Sequence, residues 1–449
     1  MSGGELVVCG IAKLTIPLML LCVVMGGVMV NRDGVSEDGL GHRGDAVPAW
    51  TKDFDHLAPG VGDVIHELTA QLRADCPVAR SSSYGGFFVV AGAREVGLVA
   101  KQDQTFSSAV EGLGATMVLP ALERVAAPLF ESDPPVHTLW RRAMQPFFTP
   151  AAAAAYEPGI RRVTGEVLVG LAPRGHADLV AEFAMVVAPL VTAAVLGVPD
   201  ADRAMFAALI RDLFTEALSG QAGGSAGQEL AEVLLELVRA RRGAPVHDVL
   251  GAVANTFING VPASDEELLK HAFLLVAAGT LTSGDTIANT ACVLGSDPDL
   301  RARVMDDRTL LTAVVEESVR HESAVAATGR TVRHSSTLSG VDLVEGDRVL
   351  LLWGSANRDE ALFPDGDRFR LDRPYPGRHL GWGAGAHHCL GKHLARLQVR
   401  VVLDELLEVL GDFEVEPGFT PRRTFGVLRG LVTLPARWAA VDRRSPMGG

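Results

Sequence analysis

Residues 381–396 read GWGAGAHHCLGKHLAR. The stretch sets one cysteine, Cys389, among glycines at 383, 385 and 391, and leads into LARLQVRVVLDELL, a run with helical apolar spacing. Glycines so placed suit a tight loop whose backbone passes close to a flat ligand in conformations that a side chain would forbid. Such a loop can aim amide N–H groups at a thiolate. A single cysteine by itself reads as a packed thiol, since free cysteine is among the most buried residue types. The weight therefore falls on the whole pattern W-G-x-G-x-H-x-C-x-G and the helix behind it.

That pattern resembles the haem-ligand loop of the cytochrome P450 family. The resemblance implies a mainly α fold with small β-sheets (α+β), a central buried helix over the haem, and one b-type haem (heme b) whose iron is bound by Cys389. An iron held through one thiolate keeps its opposite face open to oxygen, and electron donation from sulfur favours O–O cleavage. Trp382 stands where the family has phenylalanine, which keeps an aromatic beside the thiolate but changes its hydrogen bonding. Gly383 follows it in the same turn.

Outward from the loop, further segments carry the same resemblance. In DPPVHTLWRRAM, His137 and Arg141 are four apart and share a helix face; alone they read as a solvated polar face, and in the family the matching pair reaches the haem propionates. Guanidinium–carboxylate geometry gives the arginine a reason to be there. Arg330 in TGRTVRHSS and His387, two before the cysteine, are further propionate contacts by resemblance; Ala324 stands where a proline is usual before Arg330. Glu317 and Arg320 form an E-x-x-R, by itself a surface ion pair worth little, and by resemblance the pair that holds the haem-ligand loop.

The central helix is expected to start at Ser264, where S-D-E-E makes a capping box with Glu267. It continues through LLKHAFLLVAAGTLTSGDTIANTACVL, too apolar all round for a surface helix. Its stretch AGTLTS resembles the oxygen-binding element of the family: Ala278 and Gly279 let the helix pass over the haem, and Thr282 is the alcohol of an acid–alcohol pair. The acid is replaced by Leu281. Asp285 is the nearest acid along the helix, with a plain structural role as the alternative.

Composition bounds the rest. The chain has 449 residues, 48% of them hydrophobic, and a net charge of −13, which argues against nucleic acid as a partner. Cys9, Cys22, Cys76, Cys292 and Cys389 form no CxxC pair and no zinc or disulfide spacing. An apolar run of 17 residues at 14–30 is at the lower edge of what spans a bilayer, and its flanks lack a charged signal pattern. Residues 1–50 are expected to be an apolar extension and linker, and 51–449 a single domain; the protein is expected to be cytoplasmic, with membrane association through 14–30 as the alternative. The glycine-rich SGQAGGSAG at 219–227 falls where two lid helices of the family connect, and TFGVLRGLVTLP resembles its closing hairpin. No G-x-G-x-x-G follows a strand, so electrons must come from outside, and the resemblance implies a ferredoxin and its reductase. Arg141, Arg142, Lys392 and Arg396 are expected to form the cationic face that steers such an acidic partner. The reaction implied is oxidation of an apolar small molecule. The rivals are a coupling, isomerising or peroxide-driven enzyme of the same fold, and a haemless partner protein.

Overall fold

The computed structural model describes residues 53–109, 118, 128–218 and 225–441. The extension expected at 1–50, its apolar run, most of Ser107–Phe130 and residues 219–224 lie outside them. Among the described residues no helix is long and apolar enough to cross a membrane.

The chain opens with α1 (Val61–Asp75), the strands β1 (Val78–Ser81) and β2 (Phe87–Val90), α2 (Ala93–Lys101) and the short β3 (Phe106–Ser107). A helical tract follows: α3 (Val136–Met144), α4 (Pro150–Ala155), α5 (Glu157–Leu171), the strand β4 (His176–Asp178), α6 (Met185–Val195), α7 (Arg203–Leu218), α8 (Ser225–Arg241) and α9 (Val249–Ala254). Ser225, Ala226 and Gly227, expected in a glycine-rich connection, instead begin α8, where Ala226 and Gly227 are buried. The hairpin β5 (Phe257–Ile258) and β6 (Val261–Pro262) precedes the 32-residue α10 (Asp265–Ser296). After α11 (Pro298–Asp306) and α12 (Leu311–His321) come β7 (Ala327–Val332), β8 (Ser336–Leu338), β9 (Val341–Leu343) and β10 (Arg348–Leu352). The short α13 (Trp353–Ala356), the long α14 (Lys392–Leu410) and the strands β11 (Glu414–Val415) and β12 (Pro435–Arg437) complete the order.

The main sheet runs β1-β2-β10-β7-β3. Leu350 of β10 is opposite Val89 in the parallel pairing and Gly329 in the antiparallel one. Both FFVV and VLLL are buried throughout, as expected of central strands covered on both faces. The sheet therefore presents Arg330 of β7 from a rigid, fully buried strand.

The capping box at Ser264 and Glu267 is present, with both reciprocal bonds made, and α10 is buried along most of its length because its apolar residues are not confined to one stripe. The E-x-x-R pair is a core element rather than a surface one. Glu317 and Arg320 are 2% and 0% exposed, joined at 2.6 Å and 2.8 Å. Arg320 also donates to the carbonyls of Asn357, Gly366 and Arg368, and Arg373 donates to Glu317. The pair thus clamps the coil that leads to the cysteine loop. Residues 423–431 close as a hairpin, with Thr424 N–H donating to Gly430 O at 3.0 Å. Arg429 N–H reaches Ala324 O at 2.9 Å, which fixes the backbone where a proline was expected.

Candidate haem site

Cys389 is held by its own loop. Its N–H donates to Trp382 O at 2.7 Å, Gly383 N–H to Leu380 O at 2.8 Å, and His388 N–H to Gly385 O at 3.2 Å. Gly383 and Gly385 have φ of +72° and +67°, a region costly to residues with a Cβ. A side chain at Gly385 would also overlap the Ala100 carbonyl at the end of α2. Burial pushes the Cys389 thiol up, while the Gly391 amide, Arg141, Arg396 and Lys392 pull it down. These are the groups that would favour the thiolate once a metal removes the proton.

Behind the loop lies a network that the sequence reading missed. Arg396 stacks over the Trp382 ring at 5.0 Å and pairs with Glu316, one contact being 2.9 Å. His379 Nε2 meets the same carboxylate at 3.1 Å, and Gly381 N–H donates to its Nδ1, so the ring proton is on Nε2. Burial alone would push the Glu316 carboxyl up, but the hydrogen bonds from His379 and Arg396 and the Arg396 charge win and hold it at about 2. Arg396 is therefore a half-buried structural cation, and the expected cationic face loses it; Arg142 is exposed and Lys392 half-exposed at the start of α14. The signal was the doubled acid Glu316-Glu317, in which each carboxylate serves a different anchor.

Four basic side chains converge beside this loop, none of them in a salt bridge with a described acid. His137 and His387 rings are 4.4 Å apart. Neither nitrogen of His137, nor Nε2 of His387, has a hydrogen-bond partner among the described residues although all are buried. Arg330 is 6% exposed and donates at 2.6 Å to the Gly329 carbonyl; no salt bridge reaches it or Arg141 among the described residues. Burial lowers the pKa of Arg330 to about 10, with Asp133 and Glu131 opposing. Burial, then Arg330, His137 and Arg141, push the His387 imidazole down to about 2. Burying unpaired guanidinium charge costs several kcal/mol unless an anion compensates. The arrangement fits a ligand carrying carboxylates at this rim and a metal at Cys389, which is the donor set a haem requires. Asp133, noticed in sequence only as a helix start, positions the rim: it accepts from Ser107 Oγ at 2.5 Å, Ser108 N–H at 2.9 Å and Arg333 at 2.7 Å.

On α10, Ala278 is exposed and Thr282 partly so, between buried Thr280, Leu281 and Ser283. Gly279 does something else: a Cβ on it would lie 2.9 Å from Thr192 Oγ1, so its smallness serves the crossing with α6. Thr282 donates its hydroxyl to Ala278 O at 2.7 Å, and Thr286 and Thr290 repeat that bond one and two turns on. Leu281 is 6% exposed and packs in the main core. Asp285 is 7% exposed and lies against Gly430, where a Cβ would come 3.0 Å from its Oδ2.

Comparison with known proteins agrees with this geometry. The family model described as cytochrome P450 matches residues 226–437. Putative cytochrome P450 126 of Mycobacterium tuberculosis is 33% identical over 378 residues, spanning 81% of this chain and 91% of that protein. Cytochrome P450 monooxygenase PikC of Streptomyces venezuelae is 35% identical over 316 residues, 69% of this chain and 76% of that one. The crystal structure of HmtN, a post-tailoring hydroxylase of himastatin biosynthesis, superposes with a TM-score of 0.74 at 31% identity, covering 84% of this chain and 97% of that one. A thiolate loop, a basic rim awaiting carboxylates and a helix opened at one threonine therefore come with kinship over most of the chain, and the protein belongs to the cytochrome P450 family of haem-iron monooxygenases.

Proposed function

We propose that this P450 hydroxylates or epoxidises an apolar small molecule of secondary metabolism, using O2 and electrons from a ferredoxin and its reductase, as a cytoplasmic enzyme whose residues 51–449 form one domain. The observation that carries the site assignment is the rim of His137, Arg141, Arg330 and His387, four basic groups with no salt bridge among the described residues. In this reading they hold the two haem propionates, Cys389 ligates the iron, and Trp382 and Gly383 shape the loop beneath it. The haem supplies oxygen activation; the chain supplies orientation and protons. Thr282 Oγ1, with its proton directed at Ala278 O, has lone pairs free to accept a proton on the cavity side. Ala278 leaves room beside it, and Gly279 sets the helix crossing that holds this turn. The substrate class is supported by relatives such as the mycinamicin IV hydroxylase/epoxidase of Micromonospora griseorubida, 34% identical over 322 residues.

The ferredoxin reading rests on Arg142 and Lys392 beside the loop, on a chain whose net charge is −13. A ligand screen should find apolar metabolites that shift the haem spectrum by displacing the distal water, with oxygenated products by mass spectrometry. Leu281 supports a second reading, an enzyme of the same fold that couples or isomerises without inserting oxygen. Products lacking isotope label from 18O2 would select it.

A further inference from the structure

Residues 278, 282, 285 and 289 are spaced 4, 3 and 4 apart, so they form one stripe of α10. The stripe begins at the exposed Ala278 and the partly exposed Thr282 and passes into the interior at Asp285 and Asn289. Asp285 is unusual among the described buried carboxylates. Glu95, Asp133, Glu316, Glu317 and Glu322 each accept hydrogen bonds; among the described residues Asp285 accepts none. The nearest cation, Arg423, is committed elsewhere, to the Asn289 side-chain oxygen and, at 3.8 Å, to Glu322. Among the described residues Asp285 is thus a buried carboxyl without an ion pair, adjacent on its stripe to the partly exposed Thr282 hydroxyl.

We infer that Asp285 is the acid that supplies protons to Thr282, replacing the carboxylate that Leu281 lacks. This rests on the haem-site reading above. Three residues along a helix are about 4.5 Å apart along the axis at 1.5 Å per residue, with Cβ atoms about 5–6 Å apart, a gap that one water bridges. The proton leaves the Asp285 carboxyl and reaches Thr282 Oγ1 through the bridging water, while the Thr282 hydroxyl turns from Ala278 O and passes its own proton to a water on its exposed side; the carboxylate left behind is reprotonated from solvent. No electron moves in this step. Burial pushes the Asp285 carboxyl up to about 7, with Arg423 opposing, which suits a group that must both give and regain a proton near neutrality. The charged group that faces it is Arg423 of the closing hairpin. Behind Arg423, Arg429 and His66 face Glu322, which is held ionised, and burial holds His66 down at about 4; Arg423 also faces Cys292, whose thiol burial pushes up. Against Gly279 and Gly284, the segment at 184–192 presents Thr192, Met185 and the Ala184 carbonyl.

The test uses the haem-loaded full chain. Infrared difference spectra titrated from pH 5 to 9 should show a protonated-carboxyl band that disappears with a midpoint near 7, absent in Asp285→Asn. With NADPH, a plant-type ferredoxin and its reductase, Asp285→Asn should release several-fold more peroxide per NADPH than the parent and lose the parent's rise of uncoupling with pH. Asp285→Glu should restore both. Parent-like peroxide release and pH profile in Asp285→Asn, with normal haem content, would overturn the inference alone. Failure of Cys389 to bind haem would overturn the haem-site reading instead, and the infrared titration would still report on Asp285. A parent whose carboxyl band never titrates in this range also overturns the inference.

Discussion

On the Cys389 side of the site the loop backbone and its ionic anchors are tied down, though the rim histidines are not: the loop amides close on loop carbonyls, Glu316 takes both Arg396 and His379, and Glu317 with Arg320 clamps the preceding coil. On the α10 side the polar groups are sparse, with Thr282 bonded only to its own helix and Asp285 bonded to nothing described. The contrast separates two jobs. A metal ligand has to be held in one geometry, and redundant hydrogen bonds do that. A proton donor has to change its bonding in every cycle, and a fully satisfied network would resist it.

Breaking the ligand side should cost most. Glu317→Ala leaves Arg320 uncompensated in the core, and losing one partner of a buried pair costs about 3–5 kcal/mol; thermal denaturation of the haem-loaded protein should show it. A melting temperature equal to the parent's would mean that the clamp carries no stability. Next in size, Arg330→Ala should weaken haem retention rather than the fold, because it removes a cation whose partner is expected on the ligand. Transfer of haem to an excess of apomyoglobin should be at least ten-fold faster, while the apoprotein's melting point holds or rises.

Glu316→Gln should have a smaller effect with a defined pH signature. Its carboxyl is held at about 2 against a usual 4.5, so the stabilisation is fully present above about 4.5 and is lost as pH falls toward 2. The parent should therefore lose more stability than the variant between pH 5 and 3, and parallel acid-unfolding curves would refute the assignment. The α10 side should show the opposite sign. Asp285 is raised to about 7 from a usual 3.8, so the folded state keeps a proton that the unfolded chain has lost. The stability this group costs is absent below pH 3.8, grows as pH rises and is complete above 7. Asp285→Asn should melt higher than the parent at pH 8, by less at pH 5, and level with it below 3.8.

Much of this was legible in the sequence because it rests on spacing. The cysteine loop, the capping box at Ser264, the E-x-x-R pair and the threonine at 282 all depend on residues close along the chain, where helix and turn geometry fix relative positions. What stayed hidden depends on contacts across hundreds of residues. Arg396 looked like a surface cation because nothing local announces Glu316, 80 positions earlier. Gly279 looked like clearance for a ligand because Thr192 is on another helix. The role of Asp133 was silent because Arg333, its partner, lies 200 residues on. The isolation of Asp285 could not be read at all, since it is the lack of a partner among the described residues in three dimensions.

The claim on which the rest depends is that Cys389 sulfur binds the haem iron. X-ray absorption at the iron edge, on the purified protein and on Cys389→Ala reconstituted with haem, tests it directly. A sulfur scatterer in the iron's first shell is predicted for the parent and none for the variant; sulfur retained in the variant, or a parent shell of nitrogen and oxygen alone, would contradict it.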